Sequence, residues 1–189
     1  MDMNRVEWLV GQLLEEIDAN PEREGLSETP KRVARMFSEI FEGASYTNDE
    51  IVALFNKCFE DVKTEDLVVV KDISTSSYCE HHMALMYNMK VSIGYLPNEK
   101  VIGLSKIARV VDMVCKRLQL QERIGTDVAY IISKICNTDS VAVVITSEHS
   151  CMSYRGIKKP GTKTVTATVR GRFKESKELR DEFYSLIKQ

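Results

Sequence analysis

No stretch of this 189-residue chain is apolar and uncharged for long enough to cross a bilayer, so a membrane-spanning helix is excluded. The first eleven residues lack the basic-then-apolar pattern of a secretory leader, and the expected compartment is the reducing cytoplasm. Neither sign of charge dominates: 26 Lys and Arg stand against 28 Asp and Glu. No global field therefore steers the chain to nucleic acid or to a membrane surface, and neither is expected as a partner. The five cysteines (Cys58, Cys79, Cys115, Cys136, Cys151) are an odd number without disulfide-like regularity. None forms a Cys-x-x-Cys pair, which argues against a closed zinc finger, and the deaminase signature of His-x-Glu with Pro-Cys-x-x-Cys is also missing. There is no internal repeat and no low-complexity segment.

Histidine is scarce too, but its placement is informative. All three fall in two short clusters, Cys79-Glu80-His81-His82 and Glu148-His149-Ser150-Cys151. Imidazole and thiolate are the preferred ligands of zinc. Two ligands from one cluster and one from the other would leave a fourth position open, the catalytic rather than the structural arrangement. The remaining histidines would then be free to move protons near neutral pH. A lone Cys or His is usually structural; two clusters that use up the histidine supply point to a metal.

Hydrophobic spacing predicts helices at both ends and strands in pairs. Val6, Leu9, Val10, Leu13, Leu14 and Ile17 recur with helical period up to Asn20-Pro21. Thr29-Pro30 predicts a second helix, with threonine as cap and an apolar face of Val33, Met36, Phe37, Ile40 and Phe41. Residues 45–50 read as a polar linker. A β-branched run at 67–73 and the alternation of Met89, Val91, Ile93 and Tyr95 predict a strand pair, with the Cys79 cluster on the connection and Asn88 at the turn. Two helices follow, one through Ile107, Val110, Val111, Val114 and Leu118, the other through Ile124, Val128, Ile131, Ile132 and Ile135. Cys115 and Cys136 lie on them as small buried hydrophobes. Residues 141–146 and 164–172 form a second strand pair around the His149 cluster, and Leu179, Phe183 and Leu186 mark a closing helix. The expected class is α+β, ordered strand, strand, helix, helix, strand, strand. Both clusters then sit on strand-end loops, where reactive groups commonly lie.

Two segments suit anions. Gly103-Leu104-Ser105-Lys106-Ile107-Ala108-Arg109 runs from a turn into a helix, with Ser105 as the expected cap and Lys106 and Arg109 three apart on one face. Arg155-Gly156-Ile157-Lys158-Lys159-Pro160-Gly161-Thr162-Lys163 places four positive charges directly after the second cluster, which suggests a polyphosphate. Between the central helices, Gln119-Leu120-Gln121-Glu122-Arg123 offers a carboxylate that can accept two hydrogen bonds from guanine's pairing edge; such a pair is more often a cap or a surface ion pair.

Taken together, Cys79-Glu80-His81-His82, Val101-Ile102-Gly103-Leu104-Ser105-Lys106, Gln119-Leu120-Gln121-Glu122-Arg123, Glu148-His149-Ser150-Cys151-Met152 and Arg155-Gly156-Ile157-Lys158-Lys159-Pro160-Gly161 closely resemble GTP cyclohydrolase I, in register from about Thr29 to the C-terminal helix. The resemblance implies the tunnelling fold (T-fold): an antiparallel strand-pair, helix-pair, strand-pair unit preceded by N-terminal helices, with the sheets of several subunits closing into a barrel. Residues 1–50 would be the N-terminal helical region and 51–189 the T-fold catalytic domain, acting as one functional unit. It also implies a homo-oligomer, a decamer of two stacked five-membered rings, with one zinc per subunit and active sites at subunit interfaces.

By position, the resemblance makes Cys79, His82 and Cys151 the zinc ligands, with an activated water in the fourth place. The reaction it implies opens the imidazole ring of GTP, releases formate and yields 7,8-dihydroneopterin triphosphate, the first step of tetrahydrofolate and pterin biosynthesis. His81 and His149 would transfer protons, and Ser105 would serve the later sugar rearrangement and ring closure. Glu122 with Gln121 would read guanine. Lys106, Arg109 and Arg155 would bind the triphosphate, joined by Arg32 and Arg35 from a neighbouring subunit.

Departures from the family are small. After His82 many members carry a Gly-Lys pair at the hairpin turn, where this chain has Met83-Ala84-Leu85-Met86-Tyr87-Asn88-Met89-Lys90, and Arg35 stands where lysine is common. The first helix starts close to Met1, so a form without the long regulatory extension of some animal members is expected. The alternative is a non-catalytic zinc- and nucleotide-binding T-fold protein, which would be expected to lose His81, His149 or Glu122. A sister enzyme for another purine would lack Lys106, Arg109 and Arg155, and a structural zinc protein would need a fourth protein ligand.

Overall fold

The computed structural model describes residues 1–60, 64 and 66–188. Helices α1 (Met3–Ile17) and α2 (Thr29–Ile40) pack on one another ahead of the core. The apolar stripe of α1 is wider than the face it covers: Val6, Val10 and Leu14 are half-buried, whereas Trp8, Leu9, Leu13 and Ile17 are exposed. Thr29 is not the cap of α2. It is the first helical residue, Glu28 holds the cap position without a side-chain bond, and Pro30 sets the start because its missing N–H has no partner to lose in the first turn. The expected linker at 45–50 instead opens α3 (Asn48–Phe55). Thr47 and Glu50 cap it reciprocally, Glu50 Oε2 accepting the Thr47 N–H at 2.7 Å and Thr47 Oγ1 accepting the Glu50 N–H at 3.2 Å.

The strands are β1 (Cys58–Phe59), β2 (Val68–Cys79), β3 (Ala84–Tyr95), β4 (Val101–Ile102), β5 (Leu118–Gln119), β6 (Val141–His149) and β7 (Lys163–Val169). The remaining helices are α4 (Leu104–Cys115), α5 (Gln121–Cys136), the single turns α6 (Ser150–Ser153) and α7 (Arg172–Glu175), and α8 (Lys177–Lys188). β5, β2, β3, β6 and β7 lie side by side in one sheet, all neighbours antiparallel except the β5–β2 pair. The expected order is present as β2, β3, α4, α5, β6, β7. Leu118, expected on a helix, begins β5.

β2 continues past residue 73 to Cys79 because β3 offers a ladder along its whole length, down to Cys79 opposite Ala84. The hairpin turn lies at 80–83, with Met83 at φ 51°. Asn88 does have left-handed backbone, φ 49°, but inside β3, where the register with β6 shifts between Tyr87 and Lys90. A β-bulge rather than a turn uses asparagine's tolerance there.

One face of the sheet is closed by α4 and α5. Met89, Val91, Ile93 and Tyr95 of β3 and Val141, Val143 and Ile145 of β6 are fully buried against Ile107, Val110, Val111 and Val114 of α4 and Ile124, Val128, Ile131 and Ile132 of α5. The opposite face carries a smaller cluster of Phe183, Phe173, Leu96 and Ala142 under α8. Gly94 allows that approach: a Cβ there would lie 2.7 Å from the Phe183 ring.

Candidate active site

Strand register brings the two clusters together. Ser77 of β2 faces Met86 of β3, and Met86 faces His149 of β6, so the outer two lie about 10 Å apart at one end of the sheet. Cys79 ends β2 and Cys151 stands in α6 just past β6. The ligand atoms of Cys79, His82 and Cys151 all lie within 4.8 Å of one another. Tetrahedral zinc with Zn–S bonds of about 2.3 Å asks for ligand atoms about 3.5–3.8 Å apart, within that span. Among the described residues no fourth protein ligand joins them. Burial, then the neighbouring Cys79 thiol, pushes the Cys151 thiol above its ordinary pKa. A bound cation favours the thiolate form of Cys151 and takes soft sulfur and imidazole donors, so the donor set fits a metal ion.

The other histidines surround this group. His81 is exposed on the turn with Nδ1 3.7 Å from Cys79 Sγ. His149 is half-buried, and burial holds its imidazole below the ordinary pKa while Glu122 opposes the shift. Its Nε2 faces Gln121 Oε1 at 2.9 Å and Ser147 Oγ at 3.1 Å. Glu122 is exposed in the first turn of α5, where the N–H groups of Gln121 and Glu122 have no helical acceptor. Arg155 reaches His82 from across the site, Nη1 to Nε2 at 3.0 Å.

Several contributors are not evident from the motifs. Glu80 pairs with Arg123 through both guanidinium nitrogens, at 2.6 and 3.3 Å, and its backbone N–H donates to Gln119 O at 3.1 Å. These bonds hold the hairpin turn on the start of α5. Tyr87 OH lies 3.3 Å from Glu148 Oε2 and 3.2 Å from Ser153 Oγ, tying α6 to β3. Ser147 was within reach of sequence reasoning, because it precedes His149 by two on a strand and shares its face.

The remaining residues lie elsewhere on the chain. Ser77 Oγ donates to Cys115 O at 2.7 Å, so the C-terminal end of α4 adjoins the metal end of β2. Ser105 therefore stands about 15 Å back along the helix axis, toward the other end of the sheet. Lys106 is there too, its Nζ 5.9 Å from the centre of the Phe55 ring, and Arg109 follows on the next turn. Ser105 is not the cap of α4; Gly103 holds that position and Ser105 is the second helical residue. Arg32 and Arg35 are exposed on α2, whose C-terminal end meets β2 through an edge-on contact of Phe41 with Tyr78 at 5.4 Å. One chain thus assembles Cys79, His81, His82, Gln121, Glu122, His149, Cys151 and Arg155, and holds Ser105 and Lys106 toward the other end of the sheet, with Arg109 between on α4 and Arg32 and Arg35 exposed on α2.

Comparison with known proteins places the whole chain in one family. Residues 6–188 match the family model described as GTP cyclohydrolase I. The chain is 54% identical to GTP cyclohydrolase 1 of Ruminiclostridium cellulolyticum, covering 100% of this chain and 99% of that protein. It is 56% identical to GTP cyclohydrolase 1 of Clostridium botulinum over 92% and 91% of the two chains. Against GTP cyclohydrolase 1 of Clostridium acetobutylicum the identity is 50%, over 100% and 98%. With a three-ligand metal group beside a half-buried histidine, and a family match spanning nearly its whole length, this chain belongs to the GTP cyclohydrolase I family.

Proposed function

We propose that the chain is a zinc-dependent hydrolase that converts GTP and water to formate and 7,8-dihydroneopterin triphosphate. The observation that carries this reading is the Cys79, His82 and Cys151 group, which has no fourth protein ligand among the described residues and sits beside His149 and Glu122. Zinc bound there supplies a Lewis acid that makes water nucleophilic near neutral pH. Glu122 orients guanine by accepting from its pairing edge, aided by the free backbone N–H of Gln121, and so directs the imidazole ring at the metal position. His81, exposed beside Cys79, moves protons during opening of that ring and loss of formate. His149, kept neutral by burial, is ready to take a proton and serves opening of the ribose. Arg155 neutralises triphosphate charge, with Lys106 and Arg109 as its partners, and Ser105 serves the sugar rearrangement and ring closure.

This assignment needs a second copy of the chain, because Ser105 and Lys106 lie too far from Cys79 within one. Three features support a homo-oligomer, read here as a decamer. Among the described residues the sheet ends in unpaired edges at β5 and β7, Val165 of β7 is largely exposed, and Trp8, Leu9, Leu13 and Ile17 of α1 are uncovered. Neighbouring sheets joined edge to edge would form the T-fold barrel. Residues 1–50 and 51–189 are read as one functional unit, and Arg32 and Arg35 as contributors to a neighbour's site.

No helix among the described residues is long and apolar enough to cross a membrane. Cys115 and Cys136 are pushed up to about 12 by burial and behave as inert core residues, which suits the reducing cytoplasm proposed for the chain. The test is incubation of the zinc-loaded protein with GTP, following formate and, after oxidation, a fluorescent pterin. Both products are expected; neither appearing with zinc confirmed bound overturns the enzyme reading. A monomeric mass by light scattering, with turnover intact, overturns the shared site.

A further inference from the structure

Gln121 belongs by resemblance with the guanine-reading group, yet its side chain is buried and its polar atoms are engaged inside the chain. Its Nε2 lies 3.0 Å from Ile145 O, 3.2 Å from Thr164 O and 3.2 Å from Thr166 Oγ1. Backbone carbonyls only accept, so the amide nitrogen must face them and the amide oxygen must point the other way. That oxygen receives the Ser147 hydroxyl at 2.6 Å and lies 2.9 Å from His149 Nε2. Ser147 Oγ, its one proton given to Gln121, is 3.1 Å from the same nitrogen. An unprotonated Nε2 would set its lone pair against two oxygens with no proton to offer. An Nε2–H satisfies both, and the lone pair of the neutral ring is then on Nδ1.

We infer that Gln121 is a positioning residue that fixes His149 as the Nε2–H tautomer, so that Nδ1 is the nitrogen presented to the reacting groups. The inference rests on the proposed function in taking His149 as a proton-transfer group. Its origin is in the sheet: Ile145 and Thr164 belong to paired strands, and their carbonyls decide which way the Gln121 amide faces. Strand pairing two residues from His149 thereby selects the nitrogen that does the chemistry.

The experiment uses the zinc-loaded oligomer with 15N-labelled histidine, read by solid-state NMR above the imidazole titration range. His149 is assigned by the signals lost in His149→Gln. The expected wild-type spectrum has a pyridine-type Nδ1 and a proton-bearing Nε2 for His149. Gln121→Met keeps the length but removes the accepting oxygen. It is expected to give mixed or reversed tautomers and to lower kcat about tenfold or more, with KM for GTP changed by less than about threefold. A pyridine-type Nε2 in the wild type overturns the inference. So does a Gln121→Met enzyme with kcat retained and KM raised, which would assign the side chain to substrate binding. Should Gln121→Met fail to assemble, the wild-type spectrum decides alone. The spectrum is recorded without GTP, so a protein that shows the expected tautomer but turns over no GTP refutes the proposed function and not the tautomer.

Discussion

Arg117 offers a stability experiment whose outcome can be worked from its contacts. It stands just before β5, and its guanidinium is spread over four acceptors: Gly43 O at 3.1 Å, Asn48 Oδ1 at 2.8 Å, Tyr46 O at 2.9 Å and Asp127 Oδ2 at 3.3 Å. Three of the four lie in the segment between α2 and the start of α3. One side chain therefore clamps the N-terminal helices to the strand that pairs with Cys79. Arg117→Met keeps much of the aliphatic stem and removes the fork. A hydrogen bond to a charged group contributes about 1.5–3 kcal/mol, but water replaces part of it where the acceptor is accessible. Tyr46 is exposed, and Asp127 retains bonds from Asn48 Nδ2 at 3.0 Å and Gln119 Nε2 at 3.2 Å. Gly43 is buried so tightly that a Cβ would sit 1.8 Å from Met113 O, so water does not easily reach its carbonyl. The Arg117 and Asp127 side chains are only 15% and 16% exposed. Counting the Gly43 carbonyl and a discounted share of the ion pair, the expected loss is about 2–4 kcal/mol. Urea unfolding of the zinc-loaded protein at fixed concentration measures it. A loss below about 0.5 kcal/mol would refute the clamp and class the pair with exposed ion pairs.

Cys151→Ser is expected to lose bound metal and turnover together, whereas His149→Ala keeps metal by atomic absorption and stalls turnover; full activity in either variant contradicts the assignment. Gly94→Val is expected to lower stability by about 1–3 kcal/mol, since its first carbon alone lies 2.7 Å from the Phe183 ring, and an unchanged urea midpoint would show that α8 yields freely. The Glu50 carboxyl is held below its ordinary 4.5 by the Thr47 backbone N–H and then by the Thr47 hydroxyl. A group lowered in the folded state stabilises above its unfolded value and loses that contribution as pH falls through the folded one. The advantage of the native chain over Glu50→Ala should thus be constant above pH 4.5 and shrink below it; an advantage that grows in acid contradicts the ionised cap.

Much of this architecture is readable from periodicity, and the exceptions have physical reasons. The alternation in β3 and the helical spacing in α4 and α5 survive because one face of each element is fully buried. β5 was hidden because two residues between helices have no period, and their pairing with Tyr78 and Cys79 is decided by packing far along the chain. The sequence alone does not tell the bulge at Asn88 from a turn, because both ask for the same backbone. At the site, a metal shared between two Cys/His clusters is legible in the residue types, whereas the choice of His82 over His81 comes from the family resemblance. The placement of Ser105 is not, since a helix start favours anions wherever it lies, and it takes the bonds from Ser77 to Cys115 and from Thr75 to Asp112 to fix which end of the sheet it occupies. The role of Gln121 was invisible for a related reason: it depends on carbonyls of two other strands.

The central claim is a reaction site completed between chains, and subunit mixing tests it most directly. His149→Ala and Ser105→Ala, each unable to form the pterin alone, are unfolded, combined in equal amounts, refolded with zinc and assayed with GTP for fluorescent pterin. If each site takes His149 from one chain and Ser105 from another, about a quarter of the sites in random mixtures carry both native residues, and pterin formation returns. Recovery that never exceeds the sum of the separate variants, in oligomers shown to be mixed, would contradict the account.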